Sequence, residues 1–282
     1  AMTKVDDSPF TWEYDRQEWK PGNYNDEFFG TVTLRRALEK SLNSATARIA
    51  REVGIRRVRD LAQRLGIQSS LPAVPSLALG AAEVTPLEVA VAFSTLANNG
   101  VRTRPLTVKQ VLDPNARVLE KRDVRVEKVV SAQMAFLINH LLKGVLDRGT
   151  ADSARRAGFT RPAAGKTGTT NDYKDAWFVG YTPDLLTVVW VGFDNQSKLG
   201  LSGSQAALPI WTDFMIRATA GTPMTDFVPP PGIKFLDVDP TSGQLATASC
   251  TSVIREAFIE GEEPALTCAL HPGEQLQVPR FE

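Results

Sequence analysis

The chain has 282 residues, of which 43% are hydrophobic and 23% charged, enough apolar material for one large folded domain or one domain with a small appendage. Lysine plus arginine and aspartate plus glutamate each total 32, and this balance argues against nucleic acid or an anionic membrane surface as the main partner. The longest strongly apolar run, Leu185 to Phe193, is about half of what a membrane-spanning helix needs.

The first half of the chain predicts helices after an N-terminal arm. Residues 1–32 sustain neither a helical nor a strand period and predict an ordered but irregular arm. From Thr33 to Gly54, apolar residues recur every three to four positions, but Ser41 to Asn43 carry small polar side chains that compete for backbone hydrogen bonds. We therefore predict two helices there and four further on, at residues 33–40, 44–53, 58–65, 86–98, 131–147 and 204–219.

The second half predicts an antiparallel sheet. After a predicted hairpin around residues 113–115, three strand candidates follow one another at 164–170, 175–181 and 186–193. Their short connections make antiparallel neighbours the natural pairing. Helices, then an antiparallel sheet, then a closing helix predict an α+β fold in which the sheet packs between α-helices.

A proline-rich segment predicts a boundary near the end of the chain. Residues 222–232 read as a linker between a main domain, 33–221, and a small β-rich tail, 233–282. Within the tail, the stretch IKFLDVDPTSGQLA predicts a local hairpin. The chain starts with Ala-Met and shows no signal peptide, so we expect it to be a piece of a longer protein.

The lysine of the stretch AAGKTGTTND, Lys166, stands out because glycines flank it on a predicted strand. A phosphate-binding loop would need a glycine at position 160, which is threonine, and would place the lysine at the start of a helix. A lone strand lysine is ordinarily solvated. Gly165 and Gly168 instead favour a site where a ligand or another backbone approaches closely.

Four stretches resemble parts of the transpeptidase domain of class A bifunctional penicillin-binding proteins, and they occur along this chain in the order that the family has. GKTGTTNDYKDAWFVGYTPDLLTVVWVGFD resembles their lysine-threonine-glycine (KTG) strand and the hairpin after it. VTLRRALEKSLNSATARIAREVG resembles the segment that carries their SxN motif, here Ser41, Leu42 and Asn43. ALGAAEVTPLEVAVAFSTLANNG and GLSGSQAALPIWTDFM resemble the stretch that follows SxN and the closing helix.

The resemblance implies acyl transfer on a D-Ala-D-Ala stem peptide of peptidoglycan, with β-lactams as inhibitors. A serine would be acylated, D-alanine would leave, and an amine would resolve the acyl-enzyme. Lys166 would supply a positive charge that tunes proton transfers. Ser41 would relay a proton to the leaving amine, and Asn43 would offer its amide to a peptide carbonyl of the substrate.

The resemblance also assigns substrate contacts to the residues after Lys166. The hydroxyl groups of Thr167 and Thr169 would hold the terminal carboxylate, and Thr170 is grouped with them. The backbone N–H of Thr169 would serve as one oxyanion-hole donor. Gly168 would let the substrate backbone lie along the strand like an added β-strand.

One motif of the family is absent from these 282 residues. The family nucleophile lies in an SxxK motif upstream of SxN, and no serine here has a lysine three positions later. We expect another polypeptide, or sequence outside this chain, to supply that segment, and with it the N-terminal membrane anchor. The chain alone is therefore expected not to react with penicillin, because loss of a catalytic serine costs about a millionfold in rate in a serine protease.

Two other classes stay open. A pseudoenzyme that binds stem peptides is favoured by the missing SxxK but disfavoured by the intact SxN and KTG motifs. A purely structural interaction module finds support only in the tail. By resemblance, the domain would face the periplasm at the inner membrane.

The two cysteines, Cys250 and Cys268, both lie in the predicted tail. A disulfide between them would close a loop of roughly 18 residues and add about 3 kcal/mol to stability, and two unpaired thiols are nearly as well supported by the count alone. Two cysteines are too few for a zinc ribbon, and we interpret His140 and His271 as lacking ligand spacing to them. The sequence thus predicts neither a metal nor another cofactor.

Overall fold

The computed structural model describes residues 1–271, so residues 272–282 of the predicted tail lie outside the described part. The helices in that part are α1 Leu34–Glu39, α2 Asn43–Val53, α3 Ile55–Leu65, α4 Pro86–Ala97, α5 Ala132–Asp147, α6 Ser153–Arg156 and α7 Ala207–Ala218. The strands are β1 Lys4–Asp6, β2 Trp12–Tyr14, β3 Gln17–Trp19, β4 Thr31–Thr33, β5 Val101–Thr103, β6 Gln110–Leu112, β7 Val118–Lys121, β8 Val126–Lys128, β9 Ala164–Thr169, β10 Ala176–Tyr181, β11 Leu186–Val191, β12 Ile233–Val238 and β13 Ile254–Ile259.

The central sheet has three antiparallel strands in the order β11-β10-β9. Helices cover both of its faces. Gly180 has no side chain, so Trp211 of α7 packs against it and donates from Nε1 to the Gly180 carbonyl at 3.0 Å. The next residue, Tyr181, points to the opposite face, where its hydroxyl donates to Asn139 of α5 at 2.7 Å and its ring meets Phe93 of α4. The predicted α+β fold with a sheet between helices is confirmed.

The starts of α1, α4 and α5 follow the sequence because their caps are local. Thr33 accepts from the backbone N–H of Arg36 at the start of α1, and Ser131 accepts from that of Met134 at the start of α5. At α4, Thr85 before the helix and Glu88 in its first turn form a capping box, and Pro86 is the first helical residue. The six predicted helices begin within about three residues of their predicted starts, and the short helix α6 was not predicted.

The predicted irregular arm contains regular structure. Strand β1 pairs with β4, and β2 with β3, through only three residues each. Such strands are too short to show alternation in the sequence. The β2–β3 turn also has no glycine that would mark it in the sequence; Asp15 and Arg16 adopt the positive φ values of this turn, 44° and 61°.

The C-terminal unit, residues 233–271, differs from its predicted local hairpin. Strand β12 pairs along its whole length with the distant β13. The segment after β12 turns back for a single bridge between Val238 and Leu245, and Leu245 also bridges Thr267. The local sequence pattern predicted the turn after β12 but not the pairing of β12 with the distant strand β13.

A buried ion network joins this C-terminal unit to α1. Arg35 forms a two-pronged pair with Glu256 of β13, with Nη2 and Oε1 2.7 Å apart, and both side chains are almost fully buried. Arg35 Nη1 also lies 2.9 Å from Oε1 of Glu39, which accepts from Arg148 at 2.7 Å. His140 Nε2 of α5 lies 3.3 Å from the Glu256 carboxylate. The C-terminal unit is thereby tied to the helix that ends next to Ser41.

The described helices include none that is both long and apolar enough to span a bilayer.

Candidate active site

Lys166 and Ser41 meet although 125 residues separate them in the sequence. Lys166 Nζ donates to Ser41 Oγ at 2.8 Å and to the carbonyl of Thr167 at 3.0 Å. Strand β9 carries Lys166 at the sheet edge, and α5, which packs against both β9 and α1, holds the two elements together. The fold thus brings these two candidate residues together through a direct hydrogen bond.

The backbone at Ser41 explains why α1 and α2 are separate. The N–H of Leu42 donates to the carbonyl of Ala37 at 2.9 Å, and the N–H of Ser41 to that of Leu38 at 3.2 Å. These two bonds are a Schellman motif, whose left-handed position is usually glycine. Here it is Ser41, with φ 55°. A non-glycine residue at such a φ lowers the stability of the fold by about 1–2 kcal/mol relative to glycine. The Ser41 hydroxyl is therefore present at a position where glycine would be more stable.

The charge of Lys166 is weakened by its surroundings. The ammonium group has lost most of its hydration to the packed protein around it, and this desolvation lowers the pKa of Lys166 from 10.5 to about 8. The lowered pKa increases the share of Lys166 that carries a neutral amine near neutral pH, next to the Ser41 hydroxyl. A group in this state can both stabilise negative charge and exchange a proton with a hydroxyl.

We expect Lys166 to titrate near pH 8, as measured by NMR of lysines labelled at the side chain, with Lys166→Gln used to assign the signal. Since the pKa is lower in the folded chain than in the unfolded chain, the folded chain binds fewer protons between pH 8 and pH 10.5. The free energy of unfolding should therefore rise as the pH increases through that interval, as far as this group is concerned. A midpoint near 10.5 would show that the amine is solvated.

Thr167 contacts a residue that the sequence had not indicated. Its hydroxyl lies 2.7 Å from the hydroxyl of Thr150, just beyond the end of α5. The backbone N–H of Thr150 donates to the carbonyl of Glu39 at 3.0 Å, which fixes Thr150 beside the end of α1. Thr150 thus bridges the KTG strand and the Ser41 turn.

Thr169 and Gly168 meet the segment that precedes α7. The backbone N–H of Gly203 donates to Thr169 Oγ1 at 3.0 Å. A Cβ atom at Gly203 would lie 2.4 Å from the carbonyl oxygens of both Gly168 and Trp177, so only glycine fits this close approach. Gly203 is a second residue that the sequence reading missed, and its only signal was the glycine-serine composition of GLSGS.

Thr170 has a local structural partner. Its hydroxyl accepts from the backbone N–H of Asp175 at 2.8 Å and lies 3.3 Å from that residue's carboxylate. Trp190 Nε1 donates to the same carboxylate at 2.9 Å. These bonds close the connection between β9 and β10. The Thr170 hydroxyl, which the resemblance groups with the substrate contacts, is therefore already hydrogen-bonded within the protein.

Asn43 is placed by the N-terminal arm. Helix α2 has no side-chain cap of its own; instead Asn23 Oδ1 accepts from the N–H of Ser44 at 3.0 Å, and buried Asp7 Oδ1 accepts from that of Ala45 at 3.2 Å. Asn43 Nδ2 donates to the carbonyl of Gly22 at 2.7 Å. The arm therefore occupies one donor of the Asn43 amide and leaves its second N–H and its oxygen for other partners.

Two family descriptions match the chain. Residues 1–215 match the penicillin binding protein transpeptidase domain, and residues 229–273 match the C-terminal domain of penicillin-binding protein 1A. Penicillin-binding protein 1A of Aquifex aeolicus is 40% identical over 90% of this chain and 35% of its own length. That of Pseudomonas aeruginosa is 33% identical over 97% of this chain and 40% of its own length. The chain thus spans little more than a third of these relatives.

Solved structures show the same similarity. The crystal structure of penicillin-binding protein 1A from Haemophilus influenzae is similar with a TM-score of 0.85 and 28% identity, covering 94% of this chain and 46% of that one. The PonA1 protein from Mycobacterium tuberculosis, in complex with penicillin V, gives a TM-score of 0.69 at 28% identity, over 80% of this chain and 65% of that one.

Proposed function

The chain belongs to the family of penicillin-binding protein transpeptidase domains, and on that premise we propose that it forms the SxN and KTG walls of a serine-type D-Ala-D-Ala transpeptidase site. The observation that carries the proposal is the 2.8 Å hydrogen bond between Lys166 Nζ and Ser41 Oγ. It supplies a proton path in which the amine and the hydroxyl can pass a proton toward a leaving group.

The reaction that fits this site is acyl transfer between peptides. A serine hydroxyl attacks the carbonyl between the two D-alanines and loses its proton, the C–N bond breaks, and the terminal D-alanine leaves as a protonated amine. An acceptor amine from a second stem peptide then attacks the ester and releases the serine. Lys166 and Ser41 would move the proton in both steps, and Asn43 would hold the donor peptide with its remaining amide hydrogen.

The edge position of β9 supports strand-like binding of the donor peptide. Within residues 1–271, β9 pairs with β10 on one side only. A peptide backbone can add to such an edge, and Gly168 keeps that stretch free of a side chain. The Thr169 N–H would then face the reacting carbonyl oxygen as one oxyanion-hole donor, while the Thr167 and Thr169 hydroxyls would receive the terminal carboxylate.

The nucleophile would lie on sequence outside these residues, because no serine in the chain is followed by a lysine three positions later. We expect no covalent adduct when this chain alone is incubated with a fluorescent penicillin and analysed on a denaturing gel. The same protein extended upstream to include an SxxK motif should label, and its label should be blocked by unlabelled penicillin. Labelling of the 282-residue chain by itself would refute this assignment. In the cell, the domain would work outside the cytoplasm, on peptidoglycan.

The missing SxxK also favours a second candidate, a stem-peptide-binding pseudoenzyme. Its distinguishing result would be an extended protein that still fails to label with penicillin, while the chain binds a D-Ala-D-Ala peptide in a calorimetric titration.

A further inference from the structure

Four side chains with metal-binding atoms meet in the C-terminal unit, far along the chain from Ser41 and Lys166. They are Asp239, Cys250, Cys268 and His271, and one ligand atom from each lies within 4.8 Å of all the others. We propose that these four residues form a structural site for a zinc ion. The expectation that His271 lacks ligand spacing to the cysteines is wrong, since Cys268 and His271 are separated by two residues and face each other.

The spacing of the ligand atoms fits a shared metal, and the Cys268 sulfur and the His271 nitrogen are also close enough for a direct hydrogen bond. His271 Nδ1 lies 3.6 Å from Cys268 Sγ and 3.6 Å from Asp239 Oδ2. A nitrogen and an oxygen at 3.6 Å are too far apart for a hydrogen bond. Two ligands bound at about 2.0–2.3 Å to a tetrahedral zinc lie about 3.3–3.8 Å from each other. The fourth ligand atom, Cys250 Sγ, lies within 4.8 Å of the other three, so a contraction of up to about 1 Å would bring it to the same centre.

Backbone hydrogen bonds already orient these ligands. Asp239 is buried, and its Oδ1 accepts from the N–H groups of Thr241 and Ser242, at 3.0 and 2.5 Å, while its Oδ2 is the oxygen nearest to His271. Cys250 Sγ accepts from the N–H of Thr247 at 3.2 Å. Partners of this kind, which hold a ligand without touching the metal, fix ligand geometry in metal sites.

The three segments that carry the ligands are also held in register with one another. The N–H of Asp239 donates to the carbonyl of Gln244 at 3.0 Å, and the N–H of Cys268 to that of Leu245 at 2.8 Å. The Thr247 hydroxyl donates to the carbonyl of His271 at 2.6 Å. The cluster is therefore a product of this fold and not of chance proximity at a surface.

The small core of the C-terminal unit gives a reason for a stabilising metal. Among the described residues, the apolar cluster at the β12–β13 pair has three buried members, Met2, Val238 and Phe258, with a few partly buried neighbours. Units of about 40 residues seldom reach stability on such a core without a disulfide or a metal. Two thiolates, one imidazole and one carboxylate complete a tetrahedron with no open position, which is the pattern of a structural zinc site.

The two cysteines are free in the structure, and the alternative cross-link between them is the disulfide considered above. A disulfide uses two of the four groups and gives no role to the convergence of His271 and of the buried Asp239 carboxylate. Zinc uses all four, and its binding releases the two thiol protons to solvent.

The test uses the 282-residue chain, purified with a reductant and loaded with Zn²⁺ or Co²⁺. We expect one zinc per chain after dialysis, and a cobalt spectrum with thiolate charge-transfer and tetrahedral d–d bands. Asp239→Asn and Cys268→Ser should weaken zinc binding by about 100-fold or more, since even partners outside the ligand shell cost about 10- to 100-fold. Ser249→Ala, at an exposed neighbouring position, is the matched control and should bind normally.

A second readout needs no variant. Zinc should protect both thiols of the native chain from alkylation by a maleimide, and a chelator should remove the protection and lower the melting temperature. A mass two hydrogens lower than the reduced chain, without retained zinc, would establish the disulfide and overturn the proposal. Zinc retained equally by Cys268→Ser and the parent chain would also overturn it.

Discussion

Replacing Lys166 with alanine is expected to lower the rate of acylation by penicillin about 10²- to 10⁴-fold in a protein that includes the nucleophile, the range typical of a lost general acid or base. The variant removes both the positive charge and the donor to Ser41 Oγ. The measurement is the second-order rate of labelling by a fluorescent penicillin. Lys121→Ala, at an exposed position on β7, is the matched control and should label at the parent rate.

The arginine variant separates the two roles of Lys166. An arginine keeps the positive charge but does not give up its proton in a protein. If the site needs only charge, Lys166→Arg should recover much of the rate; if it needs proton exchange with Ser41, the variant should stay close to Lys166→Ala. The lowered pKa of about 8 favours the second outcome.

Ser41 offers a variant that isolates the hydroxyl. Alanine at this left-handed position would keep the backbone cost, whereas glycine removes it. Ser41→Gly should therefore slow acylation without lowering the melting temperature. If Ser41→Gly labels at the parent rate, the hydrogen bond between Ser41 and Lys166 has no part in acylation.

Local signals explain which parts of the fold the sequence predicts well. Helices α1, α4 and α5 begin at caps within the same few residues, and β9 to β11 follow one another through short turns. Periodicity and capping act over distances that a sequence displays directly. The family motifs likewise point to Lys166 and Ser41 because each motif is contiguous.

Other features depend on partners far apart in the chain. Helix α2 is capped by Asp7 and Asn23 of the arm, which no local pattern around Asn43 can show. Thr150 reaches Thr167 only after α5 packs on β9. The Asp239 cluster similarly requires the turn after β12 and the bridge at Leu245. Cysteine spacing could therefore not indicate Asp239, whereas the local spacing of Cys268 and His271 was available in the sequence and was interpreted wrongly.

The ion network between Arg35 and Glu256 supplies the largest expected effect on stability. These residues lie 221 positions apart and are both almost fully buried. Glu256→Ala would leave the Arg35 guanidinium buried without its two-pronged partner, and removing one member of such a pair costs about 3–5 kcal/mol. The measurement is urea unfolding at pH 7, with Glu262→Ala, which removes an exposed carboxylate of the same unit, as the control.

The double variant Arg35→Met with Glu256→Leu tests whether the loss comes from a buried arginine that keeps only Glu39 as its charged partner. Apolar replacements of similar volume avoid the buried charge, so this variant should be markedly more stable than Glu256→Ala alone. A double variant as unstable as the single one would show that the loss of the Arg35–Glu256 pair, and not the under-compensated charge of Arg35, carries the effect.

The same pair predicts how the chain responds to acid. Burial alone would favour the neutral carboxyl, but the bonds from His140 and Arg35 prevail and lower the pKa of Glu256 from 4.5 to about 2. Its contribution to stability is therefore complete above about pH 4.5 and is lost as the pH falls toward 2. In Glu256→Gln the free energy of unfolding should fall less steeply over that interval. The Glu39 carboxylate belongs to this network, its backbone carbonyl accepts from the N–H of Thr150, and Glu39 is the last residue of α1 before the Ser41 turn. We therefore expect acid to loosen the candidate site together with the C-terminal unit.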